Sequence, residues 1–415
     1  MRDFYPEEMQ VQNWMFGIMR KTVEEFGYVE YGASILEPSE LYKAKSGKEL
    51  VNEQTYNFKD RGNRDVTMRP EMTPTLARMV AARERELTFP LRWYSIPNLF
   101  RYENPQRGRL REHWQLNVDV FGIEALEAEI EIIRIASTLM RNLGAKDDDF
   151  EIKINSRKLV NELYELYGLN EEKSYKLSKL IDKKNKISSD AFREGVELTL
   201  GKKAEDFIKT ISSNKALVAR LGEDNAEIKN LVYVIEALGV AGVKNVVFDP
   251  TLMRGFDYYT GFVFEVFDVS PENKRSLFGG GRYNELLEIF GKRKIPAVGF
   301  GMGDVTTHDF LETHKLLPLY KSSVDLYVCV LDIKLSRNIN AIVENLQQGG
   351  LRVAVDWSGR KVGEQIKTAD KQKIQFVICI GESEIKSGDL KVKELSTGKE
   401  KTLKASEVAG FIKRT

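Results

Sequence analysis

The chain has 415 residues, 63 of them lysine or arginine and 62 aspartate or glutamate, for a net charge of +1. That length exceeds one comfortable hydrophobic core and predicts two or three domains, while the near balance of charge excludes a global field and leaves any nucleic-acid partner to local patches. Two cysteines, Cys329 and Cys379, each inside an apolar strand-like run, and three histidines without a Cys/His cluster exclude a disulfide framework and argue against zinc.

The N-terminal stretch MRDFYPEEMQ is acidic and lacks the basic, apolar and small-residue succession of a signal peptide, and no apolar run approaches the roughly 18 residues that cross a bilayer. A soluble cytoplasmic protein without membrane contact is expected. From residue 6 to 26, Val11, Trp14, Met15, Ile18, Met19, Val23 and Phe26 recur at helical spacing, and Gly27 ends the helix. A strand over residues 28–33 and the extended SILEPSELY follow. Residues 57–60 read as the end of a strand, 61–63 as a turn and 65–68 as the return. Next comes Arg69-Pro70-Glu71-Met72-Thr73-Pro74, whose prolines hold the backbone out of helix until Thr73, placed as the N-cap of the helical TLARMVAARE. Glu71 is thereby fixed beside the positive end of a helix dipole.

Residues 99–122, LFRYENPQRGRLREHWQLNVDVFG, have two unlike halves. In the first, Arg101, Arg107, Arg109 and Arg111 flank Pro105 and Gly108, which mark a loop between extended segments that presents guanidinium groups to a polyanion. In the second, His113, Gln115, Asn117 and Asp119 alternate with Trp114, Leu116, Val118 and Val120, so period 2 puts the polar four on one strand face. Such a row is either the wet face of a hairpin or the floor of a site for a small zwitterion beside a phosphate.

A helix is expected over residues 124–142 and a strand over 150–154. Residues 155–240 are helical by period and without strands. Lys173, Lys176, Lys179, Lys183 and Lys186 fall along one helical face there, as a solvated stripe or a phosphate-binding one. Strands return at Val246, leading into TLMRGFDYYTG, FVFEVF and Gly279-Gly280-Gly281-Arg282-Tyr283, whose glycines suit a flexible turn, positive φ, or backbone that closely approaches a ligand. PAVGFGMG is a small-residue strand entering the helix VTTHDFLETH. After a linker at 315–323, strands and helices alternate to the end, which implies a small α/β domain with a parallel sheet and a strand pair near LKVKEL and EKTLKA.

Several of these stretches together resemble one family. FRYE, the PQRGR loop and WQLNVDVFG are similar to motif 2 of class II aminoacyl-tRNA synthetases in its histidyl-tRNA synthetase form. RPEMT resembles the substrate loop of that family, RG-x-DYYTG and GGGRY its two histidine signatures, and PAVGFGMG its motif 3. The first long helix, the strand after it and Pro38 look like motif 1, which builds a dimer interface in the family, although an ordinary amphipathic helix reads the same way. SGRKVGEQIKTADK is similar to the anticodon-binding domain of several class II enzymes.

The resemblance implies an α+β fold: a class II antiparallel sheet flanked by helices, a helical insertion and a C-terminal α/β anticodon-binding domain. Its expected bounds are catalytic core at 1–154 and 241–314, insertion at 155–240, linker at 315–323 and anticodon domain at 324–415. It implies a homodimer that joins L-histidine to ATP, as its Mg2+ complex, and passes histidine from the adenylate to tRNA(His). The lysine stripe then becomes a contact to tRNA phosphates. Joining a carboxylate to ATP brings two anions together, and positioned cations stabilise the charge that grows. The resemblance assigns Arg101 and Arg254 to the α-phosphate from opposite sides, as the catalytic pair. Arg109 goes to the terminal phosphates, Glu103 to the adenine amine and His113 to stacking on the ring. Glu71, Met72, Thr73 and Gln115 would hold the amino and carboxylate ends of histidine. Asp119 and Tyr259 would read its imidazole, with Tyr258 and Tyr283 lining the pocket. No metal ligands are assigned.

Two departures stand out. Asn104 replaces an arginine common in the family loop, so acceptor-stem rules do not transfer. Motif 3 ends in Gly303-Asp304-Val305-Thr306, so Thr306 stands where class II enzymes place an arginine. Arg282 and Arg111 are the nearest substitutes in sequence, or else hold their loops. The alternative to the enzyme is a catalytically inactive histidine-binding paralogue, such as the regulatory subunit of ATP phosphoribosyltransferase. The C-terminal α/β domain and Arg254 both speak against it.

Overall fold

The computed structural model describes residues 2–43, 54–184, 187–253, 258–273 and 275–414. Pro6 in the first turn and Glu7 and Glu8 near the positive dipole end start α1 (Pro6–Glu25), and Gly27, at φ +81°, lets the chain turn away. The strand expected next is short. β1 (Val29–Glu30) stops because the carbonyls of Ala33 and Ser34 are taken by the Arg69 guanidinium instead of a neighbouring strand. The chain continues through β2 (Leu36–Pro38) and α2 (Glu40–Lys43) to the hairpin β3 (Tyr56–Lys59) and β4 (Asp65–Met68), and β2, β4 and β3 form a separate antiparallel sheet. In the hairpin turn, the Asp60 carboxylate accepts the Gly62 and Arg64 amides at 2.8 and 3.0 Å.

In α3 (Thr73–Ala82), Met72 and not Thr73 takes the N-cap position. The Met72 carbonyl already accepts the Leu76 amide at 2.8 Å, so the helix begins one residue earlier than the prolines suggest. The Thr73 hydroxyl is thereby free of capping.

Then come β5 (Leu91–Ser95), β6 (Asn98–Phe100), β7 (Glu112–Phe121), α4 (Glu127–Asn142) and β8 (Phe150–Ser156). Residues 157–240 hold α5 (Arg157–Leu166), α6 (Glu171–Asp182), α7 (Ser189–Leu200), α8 (Ala204–Thr210), α9 (Asn214–Leu221) and α10 (Ala226–Val240). Four of these start on a side-chain cap, from Asn170, Ser188, Ser213 and Asn225. β9 (Val246–Phe248), β10 (Phe262–Asp268), β11 (Ser276–Arg282), β12 (Ala297–Gly303) and α11 (Asp304–Thr313) complete this part.

The large sheet runs β1-β5-β7-β12-β11-β10-β8-β9, with β6 paired to the start of β7. Its centre is antiparallel, as expected, but both edges are parallel, β1 to β5 and β8 to β9. Parallel neighbours need a long crossover, and the helical insertion supplies one between β8 and β9. Leu116, Val118 and Val120 of β7 pack into the core shared with α1 and α4, which leaves Gln115, Asn117 and Asp119 on the opposite face.

The glycines of β11 are neither a turn nor at positive φ. They lie in extended backbone because β12 comes too close for side chains: a Cβ on Gly280 would sit 2.6 Å from the Phe300 Cα. On β12, a Cβ on Gly301 would fall 2.7 Å from the Gln115 amide and one on Gly299 would meet the Asp119 carboxylate. Glycine at both positions keeps the polar floor of β7 open.

The chain divides into two compact units between Leu317 and Pro318. The second holds β13 (Leu326–Val330), α12 (Ser336–Gln348), β14 (Val353–Asp356), α13 (Val362–Lys371), β15 (Phe376–Ile380), α14 (Glu382–Ser387), β16 (Asp389–Glu394), β17 (Glu400–Lys404) and α15 (Ala405–Ile412), around a core of its own. Its sheet, β14-β13-β15-β16-β17, is mixed instead of parallel. Residues 381–388 are too few for a parallel crossover, so β16 returns antiparallel to β15. Cys329 and Cys379 lie opposite each other on β13 and β15 as free thiols. No helix among the described residues is long and apolar enough to cross a membrane.

Candidate active site

A cavity of about 750 Å3 lies over the polar face of β7. Glu71, Thr73, Arg101, Glu103, Arg109, His113, Gln115, Asp119, Tyr258, Tyr259 and Tyr283 all line it, so one space collects residues from positions 71 to 283. Met72 does not. Its side chain is buried in the core at the start of α3, and only its backbone serves the loop. Arg254 falls outside the described residues.

At the closed end, the Tyr258 hydroxyl donates to Glu71 Oε2 at 3.2 Å and reaches Thr73 Oγ1 at 3.4 Å. The Tyr258 ring packs 4.9 Å from Tyr259 and 5.9 Å from Tyr283, which makes an aromatic wall. The Tyr283 hydroxyl donates to Asp119 Oδ1. Burial pushes the Asp119 carboxyl up to about 7, against the Tyr283 hydrogen bond, which lowers it. Burial and the Asp119 charge together drive the Tyr283 phenol far above its usual range. The closed end therefore offers a carboxyl that changes charge near neutrality, where imidazole does too.

At the open end, Arg101 Nε donates to the Pro70 carbonyl at 2.9 Å and ties the hairpin to the Glu71 loop. Arg109 stands 3.9 Å from Glu103 Oε2 on a tip that Gly108, at φ +76°, allows to turn. Burial, then Arg101 and Arg2, push His113 down to about 3, so its ring is neutral at any physiological pH. A neutral flat ring beside fixed guanidinium groups suits a purine followed by phosphates.

A profile of the histidyl-tRNA synthetase family matches residues 1–304, and one of the anticodon binding domain matches residues 325–415. The histidine--tRNA ligase of Leptospira biflexa is 40% identical over 99% of this chain and 96% of its own length. The chain belongs to the histidyl-tRNA synthetase family. The histidine--tRNA ligase of Thermoplasma volcanium is 34% identical over 100% of this chain and 97% of its own. The crystal structure of histidyl-tRNA synthetase from Nostoc sp. PCC 7120 superposes with a TM-score of 0.85, covering 100% of this chain and 97% of that one, at 24% identity, which shows the shared fold.

Within this family the departure at Thr306 acquires a geometry. Thr306 lines the cavity and donates to the Leu277 carbonyl at 2.7 Å. Neither sequence candidate for the missing cation is available. Arg282 is buried in a double ion pair with Glu129, at 2.5 Å on both arms, and also donates to the Ile123 and Ala125 carbonyls. Arg111 donates to the Glu103 carbonyl and lies 4.3 Å over the Tyr102 ring. Each holds its loop. Arg275 lies near the same hairpin tip but is held in turn: its Nη1 donates to the Arg107 carbonyl at 2.5 Å and its Nη2 to Gln106 Oε1 at 3.4 Å.

The cavity also has lining residues that sequence reasoning missed. Asn117 stands in the polar row with no role that its sequence position announces, and Glu265 is the one carboxylate inside the apolar run FVFEVF, which is the signal that marks it. Tyr175, Lys179, Asp182 and Lys183 come from α6 and the residue after it, so the insertion reaches the cavity directly. The lysine stripe divides here. Lys176 pairs with Glu172 at 2.6 Å, whereas Lys179 and Lys183 turn to the cavity, and Lys186 lies outside the described residues.

Proposed function

We propose that this member of the family is a histidine:tRNA ligase, which forms histidyl-adenylate and pyrophosphate from L-histidine and Mg2+-bound ATP and then esterifies tRNA(His). The observation that carries the reading is the single cavity in which the Asp119–Tyr283 pair stands beside Arg101 and Arg109. Glu71 and Thr73 hold the amino group of histidine, with the Tyr258 hydroxyl orienting the Glu71 carboxylate. Gln115 holds the carboxylate end, and Met72 contributes backbone alone. Asp119 and Tyr259 read the imidazole against the wall of Tyr258 and Tyr283.

Arg101 draws the histidine carboxylate and the α-phosphate together, while Arg254 meets that phosphate from the other side. Attack of a carboxylate oxygen on the α-phosphorus forms the mixed anhydride and breaks the bond to pyrophosphate, and the fixed guanidinium groups meet charge as it grows without reorganising. Arg109 takes the terminal phosphates, Glu103 the adenine amine, and neutral His113 stacks on the ring. Thr306 supplies no cation, so the phosphates rest on Arg101, Arg109 and Arg254.

A regulatory paralogue would need neither the anticodon-binding unit nor this ring of arginines. The exposed apolar side chains of Leu36 and Phe58, which register sets on one face of the β2-β4-β3 sheet, support a homodimer seated there. A cytoplasmic location accords with this substrate set. Charging of tRNA(His) transcript with labelled histidine tests the reading, and failure to charge under conditions where adenylate forms would refute the second half-reaction.

Two further results are expected. A chain ending at Leu317 should keep measurable ATP–pyrophosphate exchange but lose charging by about a hundredfold or more, because the second unit has its own core and meets a different part of the tRNA. Equal charging by both chains would refute its role. The double variant Lys179→Ala, Lys183→Ala should raise the KM for tRNA about tenfold and flatten its salt dependence, with exchange unaltered, as loss of phosphate contacts requires. An unchanged salt dependence would return these lysines to ordinary solvated surface.

A further inference from the structure

The polar floor of β7 continues out of the cavity. Register pairs Asp119 with Trp93 and Asn117 with Ser95 across β5 and β7. β1 pairs Val29 with Trp93 and Glu30 with Tyr94, and the Tyr31 amide then donates to the Tyr94 carbonyl at 2.8 Å. Alternation therefore sets Tyr31 beside Ser95, on the face that carries Asn117 and Asp119. The Tyr31 ring packs 5.8 Å from Trp93, among the apolar side chains Leu76 and Ala77 of α3.

Here two hydroxyls are out of place. The Tyr31 and Ser95 hydroxyls are both buried, and Ser95 is only 3% exposed; neither makes a well-formed hydrogen bond, although Ser95 comes near enough to oppose the rise that burial imposes on the Tyr31 phenol. A buried hydroxyl left unpaired costs stability, and a phenylalanine and an alanine would remove that cost. Both face the neighbourhood of a carboxyl that is itself short of donors. Asp119 takes the Tyr283 hydroxyl on Oδ1, whereas a carboxylate accepts about four hydrogen bonds.

We infer that Tyr31 and Ser95 are positioning residues for Asp119: their hydroxyls turn toward its carboxylate, directly or through one ordered water, when it ionises to receive the imidazole of histidine. The inference rests on Asp119 as the imidazole reader. It explains why two poorly paired hydroxyls persist behind the pocket, since their partner is only partly charged near neutrality until substrate binds. The titratable groups around Asp119 are Tyr283 after β11, Tyr31 after β1 and Tyr28 ahead of it, with Tyr258 packed on Tyr283. Arg69, at the end of β4, is the cation that acts on Tyr31. α3 presents apolar side chains to this cluster and β12 presents Gly299.

The test is histidine-dependent ATP–pyrophosphate exchange by full-length Tyr31→Phe and Ser95→Ala, followed across pH with thermal midpoints recorded. Tyr31→Phe is expected to raise the KM for histidine about fivefold to tenfold at neutral pH, with kcat and the KM for ATP unchanged. Removing donors raises the pKa of Asp119, so the acid limb of kcat/KM for histidine should move to higher pH. Ser95→Ala should do the same more weakly. Neither variant should melt more than marginally below the parent, because neither hydroxyl makes a well-formed hydrogen bond. A parental KM and acid limb in both variants would overturn the inference, as would a general loss of both substrates with a lower melting point. Asp119→Asn separates the two claims. If it leaves the KM for histidine unchanged, the reader assignment fails; if it raises that KM while Tyr31→Phe and Ser95→Ala do not, only the present inference fails.

Discussion

Arg101→Ala is expected to lower histidine-dependent ATP–pyrophosphate exchange by about a hundredfold to a thousandfold, the loss usual when one fixed donor to developing charge is removed. The side chain is anchored before substrate arrives. Its Nε is held by the Pro70 carbonyl at 2.9 Å and its amide by the Arg111 carbonyl at 2.9 Å, so the rest of the guanidinium is aimed without a search. A lysine offers no planar fork and cannot keep the Pro70 bond while reaching the phosphate, so Arg101→Lys should recover little. The loss should fall on kcat more than on the KM for histidine, because the closed end of the pocket is untouched. Exchange within threefold of the parent would remove Arg101 from the chemistry.

Asp119→Ala is expected to weaken histidine by about a hundredfold or more while the KM for ATP stays within about twofold, since a site that loses its polar reader no longer distinguishes imidazole from an apolar ring. Equal loss of both substrates would indicate a folding defect in β7 instead. Asp119→Asn gives the complementary result in stability. Burial holds this carboxyl at about 7 in the folded chain, above its unfolded value, so the fold binds the extra proton. Its contribution is complete below the unfolded value and is lost as pH rises through about 7. Asparagine never ionises. The variant should therefore melt above the parent at alkaline pH, and the gain should vanish as pH falls toward about 4. A gain that grows on acidification would contradict the burial of the charge.

Most of the polar floor of the cavity was legible in the chain because β7 writes it in a strict alternation, His113 to Asp119 against Trp114 to Val120, and period 2 leaves no second arrangement once one face is buried. The turn and return around Asn63 and the helical run after β8 were legible for the same local reasons. What was not legible depends on partners far away in sequence. Arg282 reads as a spare cation until Glu129 arrives from α4. Gly279 to Gly281 read as a loop because nothing local announces how near β12 will lie. The turn of Lys179 and Lys183 toward the cavity, with Lys176 facing away, is set by the packing of Leu177 and Ile181 under α6, which the lysine spacing alone does not contain. Thr73 lost its capping role by one residue of helix, and that same residue released its hydroxyl for the site.

The central claim is that this cavity activates histidine. ATP–pyrophosphate exchange by the purified full-length protein measures it directly, with each amino acid supplied in turn. Exchange is expected to depend on histidine and to be absent with the other amino acids, despite threonine at position 306. Histidine binding by calorimetry without any exchange would contradict it and make the chain a histidine-binding regulatory paralogue.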